Sequence, residues 1–224
     1  MSNYAIIAAG GVGSRLGNKA GKQLLEIKSK PIVVWTIEKF EQCSLVDEII
    51  IVIKKDDISF MQKLVAKYKL YKVKKIVESS EISRFYSVKN GVEALNGKKG
   101  DKVLIHDGSR PLIGINDIEA MIRSNEQALV IGTNVIDTIK VVNKNFEIID
   151  SPKRETLYSV QTPQMFAYEL LQNAYRNVKD DNFTDEAGLI SASGVKVKIF
   201  PGSYDNIKVT TKFDLKIVEE RLIN

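Results

Sequence analysis

The sequence predicts an α/β fold: a Rossmann-like, mostly parallel open sheet with helices on both faces, plus a protruding β-hairpin arm. Runs of Ile and Val without polar alternation, such as residues 48–53 and 102–106, indicate strands that are covered on both faces. Segments with helical periodicity lie between these runs, as expected where right-handed crossover helices connect parallel strands. A third region, residues 135–149, alternates around a polar turn and predicts a hairpin.

Each predicted strand is a short apolar run, and each predicted helix has a period of about 3.6 residues. In chain order, the elements are a strand at 4–9, a helix at 33–42, a strand at 48–53, a helix at 57–68, a strand at 73–77, a helix at 83–95, a strand at 102–106 and a final helix at 214–222. Ligands bind beyond the carboxyl ends of strands in such sheets, so the loops there are the candidate site.

Composition limits the class of protein. The 224 residues, 44% of them hydrophobic, predict a single domain at 1–224. The net charge of +5 is spread along the chain without an aromatic RNA-binding pattern, which favours anionic small substrates over nucleic acid. No apolar run approaches the ~20 residues that span a bilayer, and the N-terminus lacks a signal-peptide pattern, so we expect no membrane partner and a cytoplasmic protein. The single cysteine, Cys43, excludes an internal disulfide.

A glycine-rich segment follows the first predicted strand. Residues 10–17 read Gly-Gly-Val-Gly-Ser-Arg-Leu-Gly and lead to Gly21-Lys22-Gln23. Glycines let backbone N–H groups approach phosphate oxygens, and Arg15 and Lys22 can neutralise charge that develops there. A strand-to-helix turn that needs glycine only for its backbone geometry is the alternative. The two cations favour a polyphosphate, and hence a nucleotide enzyme.

Asp107 follows the apolar strand at 102–106 and is near Arg110 in the sequence. An aspartate at the end of a buried strand, beside a phosphate loop, is suited to hold Mg²⁺, which takes hard oxygen ligands and shares its shell with phosphates. The alternative is a turn or cap residue paired with Arg110. His106 is the only histidine, and we interpret it as structural rather than catalytic.

Two later segments carry further candidates. Arg154 is a bidentate phosphate-type donor and Lys208 a point charge at a strand end, and both suit a phosphorylated acceptor. Taken alone, each residue is better interpreted as a surface cation. Residues 183–188 predict a helix start capped by Thr184 or Asp185.

The hairpin at 135–149 has few ways to bury its apolar side chains. It either pairs with a second subunit or folds over its own sheet, and the residues alone leave both alternatives open.

Seven segments, in this order, resemble the cytidylyltransferases that make CDP-linked alditols, above all those that use 2-C-methyl-D-erythritol 4-phosphate in the non-mevalonate isoprenoid pathway. The resemblance runs from residue 4 to about 220 and implies a fold of the nucleotide-diphospho-sugar transferase type. The segments are residues 8–15, Lys22-Gln23, residues 84–88 with Gly91, His106-Asp107 with Arg110-Pro111, Gln161-Thr162-Pro163-Gln164, Thr184-Asp185-Glu186-Ala187, and residues 206–210.

The resemblance also implies residue roles. The catalytic pair that stabilises charge at the α-phosphate is Arg15 and Lys22. The nucleotide-binding residues are Ala8, Ala9, Gly10, Gly11, Gly13, Ser14, Ser80, Arg84, Ser87 and Asp107. The acceptor-binding residues are Thr138, Arg154, Thr162, Asp205 and Lys208. Asp107 lies beside the Mg²⁺, or another divalent cation, that is carried with CTP.

In such enzymes the counterparts of Thr138 and Arg154 come from the partner subunit, so the resemblance makes residues 136–160 the dimerisation arm of a homodimer. One departure concerns the base: Ser80-Glu81 stands where the family usually has a glycine pair whose backbone amide meets the cytosine.

The implied reaction is attack of the acceptor phosphate on the α-phosphorus of CTP, which releases pyrophosphate and gives 4-diphosphocytidyl-2-C-methyl-D-erythritol. Two alternatives remain. Ribitol 5-phosphate is another acceptor, giving CDP-ribitol for wall or capsule polymers, because its cytidylyltransferases share most of these motifs. A non-catalytic nucleotide-binding domain is a different class, against which the presence of Arg15, Lys22 and Asp107 argues.

Overall fold

The computed structural model of the chain describes residues 1–11, 24–178 and 181–222. The strands in these ranges are β1 (Asn3–Ala8), β2 (Glu26–Ile27), β3 (Lys30–Pro31), β4 (Glu48–Ile53), β5 (Val73–Glu78), β6 (Lys102–Asp107), β7 (Ala128–Asn134), β8 (Val141–Val142), β9 (Ile148–Asp150), β10 (Tyr158–Ala167) and β11 (Lys198–Pro201). The α-helices are α1 (Ile32–Gln42), α2 (Ile58–Lys67), α3 (Arg84–Glu93), α4 (Ile115–Arg123), α5 (Tyr168–Asn177), α6 (Glu186–Ala192) and α7 (Lys212–Arg221).

A seven-stranded sheet organises the molecule, in the order β11-β7-β10-β6-β1-β4-β5. Strand β10 is antiparallel to both of its neighbours, and every other pair in this sheet is parallel. The predicted open, mostly parallel sheet is therefore confirmed. Among the described helices, none is both long enough and apolar enough to cross a membrane.

Helices cover both faces of the sheet, and strand β1 shows how the sequence achieves this. Ala5 and Ile7 point into a core with α1, α2 and α4, whereas Tyr4 and Ile6 pack with α3, α5 and α6. Each fully buried isoleucine of this kind contributes about 1.5–3 kcal/mol to the free energy of unfolding. Strands that bury alternate residues in two different cores must be apolar at every position, which explains their continuous runs.

Helix α3 lies close to the sheet because residue 91 is glycine. A Cβ atom there would lie 2.8 Å from Cγ2 of Val52 and 2.9 Å from Cγ2 of Ile6. The side chain of Ser83 caps the first turn of α3 by accepting a hydrogen bond from the backbone N–H of Tyr86. Close packing of α3 brings its first residues to the carboxyl edge of the strands.

Two helices later in the chain begin directly after a residue whose side chain caps the first turn. Asp185 caps α6, since its side chain accepts a hydrogen bond from the N–H of Gly188, and this confirms the predicted helix start. The final helix begins at Lys212, two residues before the predicted start, because Thr211 and Asp214 form a capping box.

A hairpin forms where the sequence predicts one, but its strands are short. Strand β8 pairs antiparallel with β9 over two to three residues each. No residue from 134 to 160 is buried in this chain. The hairpin therefore does not pack over the sheet of its own subunit, which was one of the two alternatives.

Candidate active site

A cleft of about 350 Å³ lies at the carboxyl edge of the parallel strands, a size typical of small-molecule sites. This is the point at which the direction of strand addition reverses: β4 and β5 extend the sheet on one side of β1, and β6 lies on the other side. The described residues that line the cleft are Ala8, Gly10, Gly11, Val52, Ser80, Glu81, Ile82, Ser83, Arg84, Ser87, Asp107, Ser109 and Lys208.

The backbone after β1 is tied to the neighbouring strands. The carbonyl of Ala8 accepts a hydrogen bond of 2.9 Å from the N–H of Gly108, and the N–H of Ala9 donates to Val52 O at 2.7 Å. A Cβ atom on Gly10 would lie 2.5 Å from Cβ of Ser79, so only glycine fits. The close approach that the structure shows at Gly10 is to Ser79, and the predicted approach of backbone N–H groups to phosphate oxygens stays a prediction.

The predicted catalytic pair, Arg15 and Lys22, lies outside the described residues, as do the predicted nucleotide-binding residues Gly13 and Ser14. Gly11 is the last described residue before that gap, and it lines the cleft.

Asp107 is the centre of a charge cluster at the end of β6. Its Oδ2 atom lies 2.9 Å from Nζ of Lys208 and 3.2 Å from Nε of Arg110, and its Oδ1 atom lies 4.0 Å from Nε of Arg84. Burial alone would raise the pKa of this carboxyl, but Lys208, Arg84 and Arg110 hold its pKa well below the usual range. Asp107 is therefore an ionised, 7% exposed carboxylate at the cleft.

A chain of hydrogen bonds holds Asp107 from behind. Its backbone N–H donates to Oγ1 of Thr162 at 3.0 Å, the Thr162 hydroxyl donates to Nδ1 of His106 at 3.1 Å, and Nε2–H of His106 donates to Arg110 O at 3.1 Å. Burial lowers the pKa of His106 to about 4, so the ring is neutral and this assignment of donors satisfies both nitrogens. The structural interpretation of His106 agrees with this geometry. The acceptor-binding role of Thr162 stays a prediction, and in this structure its hydroxyl is hydrogen-bonded to Asp107 and His106.

Asn206, which sequence analysis did not single out, fixes the loop that carries Lys208. Its side-chain amide donates to Gln161 Oε1 at 2.9 Å and to Thr162 O at 2.8 Å, and its carbonyl accepts from Nη1 of Arg110 at 2.7 Å. The sequence signals for it were its place in the matching segment 206–210 and its position two residues before Lys208. The loop is thus bound both to β10 and to the segment after β6.

Glu186 was also missed, because sequence analysis took its segment as a helix cap. Nη1 of Arg84 donates to both carboxylate oxygens of Glu186, at 2.8 and 2.9 Å, and the hydroxyl of Tyr175 donates to Oε1 at 3.2 Å. Burial raises the pKa of Glu186, and Arg84 opposes that shift. Nothing in the residue order indicates that this glutamate, rather than its neighbour Asp185, faces Arg84.

The segment after β5 folds back onto α3 through Ser80 and Ser87. The N–H of Ser80 donates to Oγ of Ser87 at 3.0 Å, and that hydroxyl has the carbonyls of Ser80 and Ser83 as acceptors at 3.2 and 3.0 Å. Both predicted nucleotide-binding serines therefore lie together at the cleft, beside Glu81.

Three of the predicted acceptor-binding residues lie away from this cluster. Thr138 and Arg154 are exposed in the hairpin region, where Nη1 of Arg154 donates to Ile136 O at 3.1 Å. Asp205 is exposed and forms an ion pair of 3.1 Å with Arg221. Within the described ranges of this one chain, the structure gathers Arg84, Asp107 and Lys208 but does not bring these three residues to them.

Asp107 suits a magnesium ion only as a single protein ligand. In the described part of the chain, no group of three or more His, Cys, Asp or Glu side chains can hold a metal by itself. Mg²⁺ in nucleotide enzymes usually takes one or two carboxylates and completes its shell with phosphates and water. One ionised carboxylate at the cleft fits that pattern.

Comparison with known proteins gives a consistent picture. The family model described as 2-C-methyl-D-erythritol 4-phosphate cytidylyltransferase matches residues 3–223. Relatives of that name from Alkaliphilus oremlandii and Clostridium botulinum are 42% and 41% identical over 222 and 224 residues; these alignments cover 97% and 98% of this chain and 93% and 98% of the relatives.

Solved structures with the same fold include the 4-diphosphocytidyl-2C-methyl-D-erythritol synthase of Anaerococcus prevotii, with a TM-score of 0.82 and 28% identity, covering 100% of this chain and 99% of that one. The 2-C-methyl-D-erythritol 4-phosphate cytidylyltransferase of Francisella tularensis has a TM-score of 0.81 and 28% identity, with coverage of 99% and 100%. The sheet, the cleft and these matches over nearly its full length agree, and the chain belongs to the 2-C-methyl-D-erythritol 4-phosphate cytidylyltransferase family.

Proposed function

We propose that this chain transfers CMP from CTP to the phosphate of 2-C-methyl-D-erythritol 4-phosphate, giving 4-diphosphocytidyl-2-C-methyl-D-erythritol and pyrophosphate. The observation that carries the proposal is the ionised Asp107 among Lys208, Arg110 and Arg84, in a cleft bordered by Gly10 and Gly11. Family membership supports this acceptor over ribitol 5-phosphate.

The chemical step needs little from a protein base. A phosphate monoester is already an anion near pH 7, and one of its oxygens attacks the α-phosphorus of CTP in line. The new P–O bond forms as the bond between the α-phosphorus and its bridging oxygen breaks, and pyrophosphate leaves with that electron pair. Catalysis then comes from positioning and from neutralising charge, the work we assign to Arg15 and Lys22 at the α-phosphate.

The nucleotide occupies the cleft along the carboxyl edge. Main-chain groups from Ala8 and Ala9 through Gly10 and Gly11, and onward to Gly13 and Ser14, surround the triphosphate. Arg84 supplies charge from the start of α3, and Ser80 and Ser87 lie at the end of the cleft where the family places the base. Since Ser80-Glu81 replaces the usual glycine pair, a serine and a glutamate side chain that the family pattern lacks line the cleft in this chain.

Asp107 is the residue that would hold the divalent cation, which supplies charge neutralisation to the CTP phosphates when it is bound. The buried hydrogen-bond chain through Thr162 and His106 keeps Asp107 in place. Lys208, at the same carboxylate, is positioned to meet the acceptor phosphate as it enters.

The rest of the acceptor site comes from the arm of a second copy of the chain. The acceptor is held by Lys208, Asp205 and Thr162 of one subunit, together with Thr138 and Arg154 of the partner subunit. The exposed position of the arm supports this arrangement. Within the described part of the chain its apolar side chains are exposed, Phe146 being 87% exposed and Ile148 62%. Burial of such a patch favours a homodimer.

A direct assay tests the proposal. Purified protein is given CTP and magnesium with 2-C-methyl-D-erythritol 4-phosphate, with ribitol 5-phosphate, or without acceptor, and pyrophosphate release is measured. We expect rapid release with the first acceptor and at least tenfold slower release with the second. Absence of release with any sugar-alcohol phosphate contradicts the enzyme proposal, and faster release with ribitol 5-phosphate contradicts the assigned acceptor.

A further inference from the structure

We propose that Glu186, held in turn by Tyr175, is a positioning residue that fixes the guanidinium of Arg84 at the wall of the nucleotide cleft. This inference rests on the nucleotide-binding role proposed above for Arg84. It adds two residues that never meet the cleft themselves but decide where a cleft residue points.

The three residues join three helices on one face of the sheet. Arg84 is the first residue of α3, Glu186 is the first residue of α6, and Tyr175 lies in α5. Glu186 is 1% exposed, and its carboxylate accepts both hydrogen bonds from Nη1 of Arg84 and one from the Tyr175 hydroxyl. Burial of an ionised carboxylate is unfavourable unless the carboxylate is paired. Separation of Arg84 from Glu186 would therefore cost free energy.

This pairing uses only part of the guanidinium. Of its five N–H donors, the two on Nη1 go to Glu186. Within residues 1–11, 24–178 and 181–222, the donors on Nε and Nη2 have no hydrogen-bond partner, with Nε 4.0 Å from Oδ1 of Asp107, and Arg84 lines the cleft. The donors that remain are therefore available to a nucleotide.

Glu186 also keeps Arg84 from a competing partner. Nε of Arg84 lies 4.0 Å from Oδ1 of Asp107, beyond hydrogen-bonding distance, whereas Nη1 lies 2.8 Å from Glu186. An arginine side chain released from Glu186 has several rotatable bonds and an anion next to it at Asp107. We expect it to close onto Asp107, which removes free donors from the cleft and occupies the carboxylate assigned to the cation.

The test separates positioning from folding by comparing isosteric and truncating variants. Glu186→Gln keeps the shape and removes the charge, Tyr175→Phe removes one hydrogen bond, and Arg84→Ala removes the group being positioned. Glu219→Gln, the same change at an exposed residue of α7, is the matched control. For each variant, the Kd for CTP is measured by calorimetry, kcat and KM for CTP by pyrophosphate release, and the melting temperature by calorimetric scan.

We expect Glu186→Gln to raise the Kd and KM for CTP about tenfold, with a smaller change in kcat. We expect Tyr175→Phe to raise the same Kd and KM about two- to threefold. The double variant Arg84→Ala/Glu186→Gln should bind CTP as Arg84→Ala does, because Glu186 acts only through Arg84. The control should match the unmodified chain.

The possible failures are distinguishable. Unchanged CTP binding in Arg84→Ala contradicts the proposed role of Arg84, and with it this inference. Weaker binding in Arg84→Ala but not in Glu186→Gln overturns the positioning role alone, as does a further tenfold loss in the double variant. If Glu186→Gln does not fold, Tyr175→Phe decides, since it leaves the carboxylate paired; CTP binding unchanged in that variant overturns the inference.

Discussion

The cluster around Asp107 and the hairpin region at 134–160 are opposite kinds of structure in one chain. Asp107 is 7% exposed, and its backbone and carboxylate together are held by Thr162, Arg110 and Lys208. In contrast, no residue from 134 to 160 is buried.

The difference shows which parts of the site one chain can build. Side chains with several short, buried hydrogen bonds are fixed by their own subunit, so the cluster forms whether or not a partner is present. An exposed apolar hairpin is stabilised little by packing against its own chain, so its position depends on the surface that covers it. Each of the following predictions tests one side of this comparison.

The largest effect concerns the residues assigned to the α-phosphate in the chain's own cleft. We expect Arg15→Ala or Lys22→Ala to lower kcat by about 10²–10³-fold while the melting temperature stays within a few degrees, because the role assigned to both side chains is to stabilise charge in the transition state. Steady-state kinetics and a thermal scan measure both. Lys67→Ala, at an exposed lysine of α2, is the matched control. Near-normal turnover in either cleft variant removes the proposed role.

The next effect concerns the arm. Ile148→Glu places a charge on its exposed apolar side, and we expect the protein to become monomeric, with turnover at least tenfold lower, because the partner's Thr138 and Arg154 no longer reach the acceptor. Sedimentation velocity and pyrophosphate release measure the two outcomes. Phe213→Glu, at a 70% exposed aromatic outside the arm, is the control. An active monomer would show that the arm is dispensable.

A smaller effect, on stability, comes from His106. Its pKa is lowered to about 4 in the folded chain, against 6.5 for the free side chain, so between these values the unfolded chain binds the extra proton. The unmodified protein should therefore lose about 2–3 kcal/mol of unfolding free energy from this group as the pH falls from 6.5 to 4.5.

His106→Gln does not titrate, so its unfolding free energy should fall less over the same pH range. Urea unfolding at the two pH values measures the difference between the two proteins. Equal pH dependence in both contradicts a buried neutral His106.

The smallest effect concerns Thr162. We expect Thr162→Val to lower the unfolding free energy by about 1–2 kcal/mol, because the N–H of Asp107 and Nδ1 of His106 lose their partner. Thr162→Ser keeps the hydroxyl and should therefore retain most of the unfolding free energy. Chemical denaturation measures both. A valine variant as stable as the serine variant would mean that water replaces the hydroxyl.

The sequence predicted the central strands because a strand covered on both faces must be apolar at every position, as in β4 and β6. It did not predict β10, because Gln161, Thr162 and Pro163 interrupt the apolar pattern where this strand crosses the site. Asp107 was found from its place at a strand end, which is a local signal. Glu186 and Asn206 were missed because their roles depend on partners about 100 residues away, Arg84 and Arg110.

The most direct test of the whole account uses hybrid dimers. Lys22→Ala and Arg154→Ala chains, each inactive as homodimers, are co-expressed with different tags and isolated as a one-to-one pair. If the arm serves the partner's cleft, one site of each hybrid has both intact residues and the other has neither, so we predict about half of the unmodified activity. If the arm serves its own subunit, both sites carry a defect. Hybrid activity no higher than that of the better homodimer would contradict an active site shared between two chains.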